Sequence, residues 1–101
     1  MSGDWDFLTN HAHVLLCVAH DPDVRLRDIA ASVGITERGA HRIISQLVEE
    51  GYLTRERQGR RNRYKVESNL PLRHPLVQEQ KIDELLGVLL KSRRDNQTRS
   101  A

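Results

Sequence analysis

Gly34 stands between two amphipathic helical patterns, and that arrangement narrows the folds open to so short a chain. On its N-terminal side Leu26, Ile29, Ala30 and Val33 recur at the spacing of one helix face. On its C-terminal side Ala40, Ile43, Ile44, Leu47 and Val48 form a longer apolar stripe, again at the helical period. Gly34 falls where a left-handed residue ends a helix. Thr36 falls where a hydroxyl can cap the next one. The segment predicts a short helix over Arg27 to Val33, a tight turn, and a longer helix running from Thr36 to a clean stop at Gly51. Arg38, His41, Arg42, Ser45 and Gln46 lie outside the apolar stripe of that second helix.

The flanks supply the remaining elements. Leu8 to Ala19 reads as a first helix, capped by Thr9 or Asn10, with Ala12, Leu15, Leu16 and Ala19 at helical spacing. Asp21-Pro22-Asp23 ends it, because proline cannot continue the hydrogen-bond ladder. Val24 and Arg25 then read as a short extended stretch. After Gly51, Leu53 to Gln58 and Arg63 to Val66 alternate in period two around Gly59-Arg60-Arg61-Asn62, the pattern of a β-hairpin. Asn69, Pro71 and Pro75 mark a connector. Helical periodicity returns from Leu76 to Leu90 through Ile82, Leu85, Leu86 and Leu89, and the last ten residues, from Ser92, are polar and expected to fray. No internal repeat is present. The expected fold is mainly α with one small hairpin.

Length and composition bound the function. At 101 residues the chain is one domain's worth, with room for a modest core but not for a separate sensor domain. Hydrophobic residues at 38% and charged residues at 30% describe a globular chain, neither membrane-like nor compositionally disordered. The longest apolar run, Val14 to Ala19, has six residues, far below the roughly 20 that a spanning helix needs. The acidic N-terminus lacks the basic region of a secretory leader. The one cysteine, Cys17, cannot form an internal disulfide, so a reducing, cytoplasmic setting is expected. Four aromatics (Trp5, Phe7, Tyr52 and Tyr64) are too few for a binder that stacks single-stranded bases.

The net charge of +2 is unevenly spread. Residues 1–35 are net acidic, while residues 36–65 carry eight basic and four acidic side chains. Every basic group in that middle third except Lys65 is an arginine, whose planar fork suits phosphates and guanine edges. Five of them (Arg55, Arg57, Arg60, Arg61 and Arg63) crowd the hairpin. A block of like charge repels itself and usually exists to meet a partner.

Leu26 to Glu50 thus has helix-turn-helix spacing. The second helix of such a unit can enter a major groove, its N-terminal residues facing the bases. Here those residues are Thr36, Glu37, Arg38, Gly39, His41 and Arg42. The runs Leu26-Arg27-Asp28-Ile29-Ala30, Gly34-Ile35-Thr36-Glu37-Arg38, Leu47 to Leu53 and Arg60-Arg61-Asn62-Arg63-Tyr64 resemble winged-helix transcriptional regulators of the MarR and ArsR types, over roughly residues 9–67. The tail from Leu70 is similar to small bacterial regulators of this group that lack a sensor domain. The resemblance implies a winged helix-turn-helix that binds double-stranded DNA. It implies groove-facing roles for Thr36, Glu37, Arg38, His41, Arg42 and Ser45, and wing contacts for Arg57, Arg60, Arg61 and Arg63, to which the charge block adds Arg55. Gly39 departs from the threonine or alanine usual at its position. In a helix interior glycine costs about 1 kcal/mol relative to alanine, which points to a close backbone approach or to simple tolerance.

Three other readings compete. His13, Cys17 and His20 share one face of the first helix at i, i+4 and i+7, and imidazole and thiolate bind zinc or copper, as in a metal-responsive ArsR-like repressor. Three ligands from one helix converge poorly on an ion, however, and Cys17 as a core-side filler with two surface histidines is the simpler reading. Catalysis is set aside: there is no glycine-rich phosphate loop, no paired carboxylates and no nucleophile with a positioned base. A winged helix that binds proteins instead of DNA predicts an acidic or depleted wing, which the arginine cluster opposes.

The sequence therefore predicts a non-enzymatic, sequence-specific DNA-binding regulator needing no cofactor and no membrane. Its parts are an arm over 1–8, a DNA-binding domain over 9–67, a connector over 68–75, a C-terminal dimerisation helix over 76–91 and a tail over 92–101. Ile82, Leu85, Leu86 and Leu89, widened by Val88 and Leu90, make more apolar surface than a small core can cover. They are the expected interface of a homodimer on an inverted-repeat operator. Trp5, Phe7 and Leu8 either add to that interface or cap the monomer's core.

Overall fold

The computed structural model describes residues 6–90. The chain divides into two compact units, Met1–Val66 and Glu67–Ala101.

The first unit holds α1 (Asn10–His20), α2 (Leu26–Val33), α3 (Glu37–Glu49), β1 (Leu53–Gln58) and β2 (Arg61–Val66). It is mainly helical with one antiparallel hairpin after the helices, the architecture of a winged helix-turn-helix. Thr9 caps α1, its Oγ1 accepting from the Ala12 N–H at 3.2 Å, so the helix starts at Asn10 and not at Leu8. It stops where Asp21 turns extended and donates its N–H back to the Cys17 carbonyl. α2 stops at Gly34, whose φ of 87° places it in the left-handed region that side chains with a Cβ resist. Ile35 N–H then donates to the Ala30 carbonyl at 3.0 Å. Thr36 caps α3 as expected, its Oγ1 accepting from the Gly39 N–H at 2.9 Å. At the other end of α3, Tyr52 N–H reaches back to the Leu47 carbonyl at 2.9 Å.

Ile29 and Ala30 of α2 pack in a core with Ala40, Ile43, Ile44 and Leu47 of α3 and with Leu53 and Tyr64 of the hairpin, all buried. The α1 contribution differs from the expected face. Val14, Leu15 and Val18 are buried, whereas Ala12, Leu16 and Ala19 are half-buried. The cause is the run Val14 to Ala19, apolar on every side, within which period alone does not choose a face.

The hairpin is tighter than its sequence suggests. Leu53 pairs with Val66, Arg55 with Tyr64, Glu56 with Arg63, Arg57 with Asn62 and Gln58 with Arg61. Only Gly59 and Arg60 remain in the turn. Gly59, with φ at 63°, supplies the positive dihedral that a two-residue hairpin turn of this kind needs. Val24 and Arg25 do not form a strand. Their neighbour Pro22 instead accepts one hydrogen bond, at 3.0 Å from the Tyr64 N–H.

In the second unit the chain folds back on itself before its helix. Leu72 N–H donates to the Gln80 carbonyl, Ile82 N–H to Leu70 and Asp83 N–H to Ser68, at 2.9, 2.9 and 3.0 Å. Pro71 and Lys81 form an isolated bridge. The helix predicted from Leu76 consequently begins at 82, its start closed by Glu84 Oε1, which accepts from the Lys81 N–H at 2.8 Å. Residues 76–80 are turn and bend. Ile82 and Leu86 are buried within the single chain; Leu85 and Leu89 are half-buried. Val88 is 72% and Leu76 87% exposed. Trp5 and the tail from Ser92 lie outside the described residues.

Candidate nucleic-acid interface

α3 presents two unlike faces. Ala40, Ile43, Ile44 and Leu47 face the core, and the opposite side carries Arg38, His41, Arg42 and Ser45. These four stand at i, i+3, i+4 and i+7, hence in one stripe along the helix. Arg38, His41 and Arg42 are exposed and Ser45 is half-buried. Arg38 and Arg42 are also like charges four residues apart, an arrangement that costs an isolated helix roughly 0.2–0.5 kcal/mol. Folding gains nothing from that pairing, whereas an anionic partner does. Glu37 lies in the first turn, where a carboxylate is favoured by the helix dipole. The Thr36 hydroxyl is engaged as the cap. Beside the stripe, the Gln46 side chain is held by His11 of α1, with Oε1 2.6 Å from Nε2.

The predicted wing arginines divide by what holds them. Arg55 and Arg57 share the hairpin face of Leu53 and Tyr64, while Arg61 and Arg63 share the other with Glu56. Arg57 Nε donates to the Gly59 carbonyl at 2.9 Å, which braces the turn. Arg61 Nη2 donates to the carbonyl of Asp23 at 2.6 Å, and Arg63 Nη1 lies 3.6 Å from the Asp23 carboxylate. Arg55 and Arg60, like Arg38 and Arg42, form no hydrogen bond or ion pair among the described residues. Arg55 and Arg60 are the free arginines of the wing.

Helix and wing meet at a cleft of about 430 Å³. Arg25 and Leu26 at the start of α2, His41 of α3, the Asp23-Val24 turn, and Arg55, Arg60, Arg61, Asn62 and Tyr64 of the hairpin line it. Arg25 and Asp23 were not singled out by the sequence. Arg25 carries a local signal, since it stands at the N-cap of α2 and makes no capping bond with its side chain; Asp23 meets the wing only through the fold.

The other candidate site does not assemble. Among the described residues no group of three His, Cys, Asp or Glu side chains is placed to hold a metal ion. His13 instead lies 3.6 Å from the Asp6 carboxylate. No helix among the described residues is long and apolar enough to cross a membrane.

A family model, the IclR helix-turn-helix domain, matches residues 8–57, which takes in α1, α2, α3 and most of β1. Comparison with curated proteins gives no match. The match names the IclR type where the sequence resemblance pointed to the MarR and ArsR types, which are distinct families of winged helix-turn-helix regulators. Residues 8–57 are similar to the IclR helix-turn-helix domain, and that match indicates a DNA-binding transcription regulator of the winged helix-turn-helix kind, with double-stranded DNA as its partner.

Proposed function

We propose that the chain reads a specific operator by laying α3 in the major groove while the hairpin grips the flanking backbone. The observation that carries this reading is the Arg38–His41–Arg42–Ser45 stripe, set opposite the core face of α3 and beside a cleft into which Arg55 and Arg60 bring unengaged charge. Arginine reads guanine O6 and N7 bidentately, and Glu37 is able to accept from cytosine N4. Arg25, Arg55 and Arg60 are suited to phosphates, which fix register and supply the salt-dependent part of affinity. Residues 9–67 are the DNA-binding unit in this reading, and the setting is cytoplasmic.

The regulator acts as a homodimer on an inverted repeat, joined through its C-terminal helix. The support is apolar surface left in water by one copy: Val88 at 72% exposure, beside the half-buried Leu85 and Leu89. Two copies related by a twofold axis present two α3 helices to one side of the duplex.

Selection of bound sequences from a random duplex pool tests the reading, together with a footprint on the DNA upstream of the protein's own gene. A recovered motif with inverted symmetry supports it. Retention of all sequences alike would remove the base-reading role of α3.

A further inference from the structure

The turn between α1 and α2 is tied to the wing at two adjacent residues, Asp23 and Pro22. The Asp23 carbonyl accepts from Arg61 Nη2 at 2.6 Å, and its carboxylate Oδ2 lies 3.6 Å from Arg63 Nη1. Next to it, the Pro22 carbonyl accepts from the Tyr64 N–H at 3.0 Å. The turn that presents Asp23 is itself braced. Asp21 Oδ1 accepts from the Asp23 N–H at 3.0 Å, and the Asp21 carbonyl accepts from the Val24 N–H at the same distance. Asp23 is also the one acidic residue lining a cleft whose other charged lining residues are Arg25, Arg55, Arg60 and Arg61.

Stability does not account for that placement. The Arg63 and Asp23 side chains are 48% and 52% exposed, and ion pairs in water contribute little to folding. A pair that contributes little is also one that a phosphate can displace. We propose that Asp23 is a positioning residue for the wing, its carboxylate holding Arg63 and competing with DNA phosphate for it. This rests on the DNA-binding reading above.

The effect on binding follows from ion counting. A phosphate that takes Arg63 releases a condensed cation from the duplex. The same exchange strands the Asp23 carboxylate beside the phosphates, where it recruits a cation in turn. The net release from that contact is then close to nothing, so Arg63 adds little grip on an arbitrary sequence. A larger share of the affinity is left to the base-facing side chains of α3. Asp23 thus acts as an electrostatic brake on the wing.

The test uses the full chain, a mixed-sequence duplex without an operator, and fluorescence anisotropy over a range of salt. Asp23→Asn keeps the backbone carbonyl that holds Arg61 and the N–H that bonds Asp21, so the turn is retained. It should bind more tightly at low salt, with a log affinity–log salt slope steeper by about one unit. Its affinity should accordingly fall about fourfold further than that of the unaltered protein between 50 and 200 mM salt. Arg63→Ala should leave the unaltered protein's slope nearly as it was, and should cancel the added slope when combined with Asp23→Asn. A gain that survives in the double variant would reflect only lost negative charge and would overturn the proposal, as would a slope unchanged by Asp23→Asn. If Asp23→Asn fails to fold by circular dichroism, the decision passes to Arg63→Ala against Arg60→Ala. Equal flattening by the two would sink the brake, and flattening by Arg60→Ala alone supports it. Absence of any duplex binding by the unaltered protein at 50 mM salt would overturn the DNA-binding reading itself, a result separate from all of these.

Discussion

Gly39 is fitted to Thr36: its N–H donates to the Thr36 Oγ1 at 2.9 Å, and a Cβ at position 39 would lie 3.2 Å from that same oxygen. The close approach made by this glycine is therefore to the cap of its own helix. A larger residue here pushes on the hydroxyl that fixes where the base-facing stripe of α3 begins.

Thr36→Ala should lower stability by about 1 kcal/mol, the usual cost of losing an N-cap hydroxyl. Gly39→Ala should stabilise by less than the ~1 kcal/mol of helix propensity it offers, because the new methyl crowds the cap. In the Thr36→Ala background the obstruction is gone and the gain should be larger. Urea denaturation of the four proteins of this cycle measures the coupling. Equal gains in both backgrounds would mean that Gly39 and Thr36 do not constrain each other.

The salt dependence of DNA binding should separate the wing arginines. Arg55→Ala and Arg60→Ala each remove a free guanidinium and should flatten the log affinity–log salt slope by about 0.9. Arg57→Ala should do less, since its Nε already serves the Gly59 carbonyl at 2.9 Å. Arg61→Ala should do less for the same reason, its Nη2 lying 2.6 Å from the Asp23 carbonyl. Anisotropy titrations at several salt concentrations give the order. If all four flatten the slope alike, the intramolecular bonds give way freely on DNA.

The helix-turn-helix was readable because its signals are local. Gly34 permits a left-handed helix stop and Thr36 caps a helix start, and both act on their own few residues. The core face of α1 was not readable in the same way, because Val14 to Ala19 is apolar throughout and only tertiary packing selects Val14 and Val18. The start of the last helix was misplaced for a related reason. Leu76 and Val77 fit a helical period, but the Leu72–Gln80 hydrogen bond draws that stretch into a turn. In the wing, sequence counted five equivalent arginines. What distinguishes Arg61 is an acceptor 38 positions away, at a distance along the chain that no local pattern reports.

Within the α3 stripe, Arg42 should carry sequence preference. A bidentate arginine–guanine pair contributes about 1–3 kcal/mol of discrimination. Arg42→Ala should therefore weaken binding to a selected operator by roughly 5- to 150-fold, and binding to a mixed duplex by much less. Competition titrations with both duplexes read the ratio. Equal losses on the two would make Arg42 a backbone contact.

The proposed dimer puts its most informative substitution at Val88, not at Leu86. Leu86 is only 8% exposed in a single copy, so a charge there would disturb the fold of its own unit as well as any interface. Val88 is 72% exposed, and Val88→Glu places a carboxylate in water unless a second copy covers it. Sedimentation at micromolar concentration should give the unaltered protein a mass near twice 11.6 kDa. Val88→Glu should shift it towards 11.6 kDa with the thermal melt of the helix-turn-helix retained. Operator affinity should fall with it, because each monomer then binds one half-site without the second held nearby at high effective concentration. Binding to a single half-site should stay the same, which separates a lost partner from a damaged α3. A mass of 11.6 kDa for the unaltered protein would instead make one copy the DNA-binding form, and the selected sites should then lack inverted symmetry.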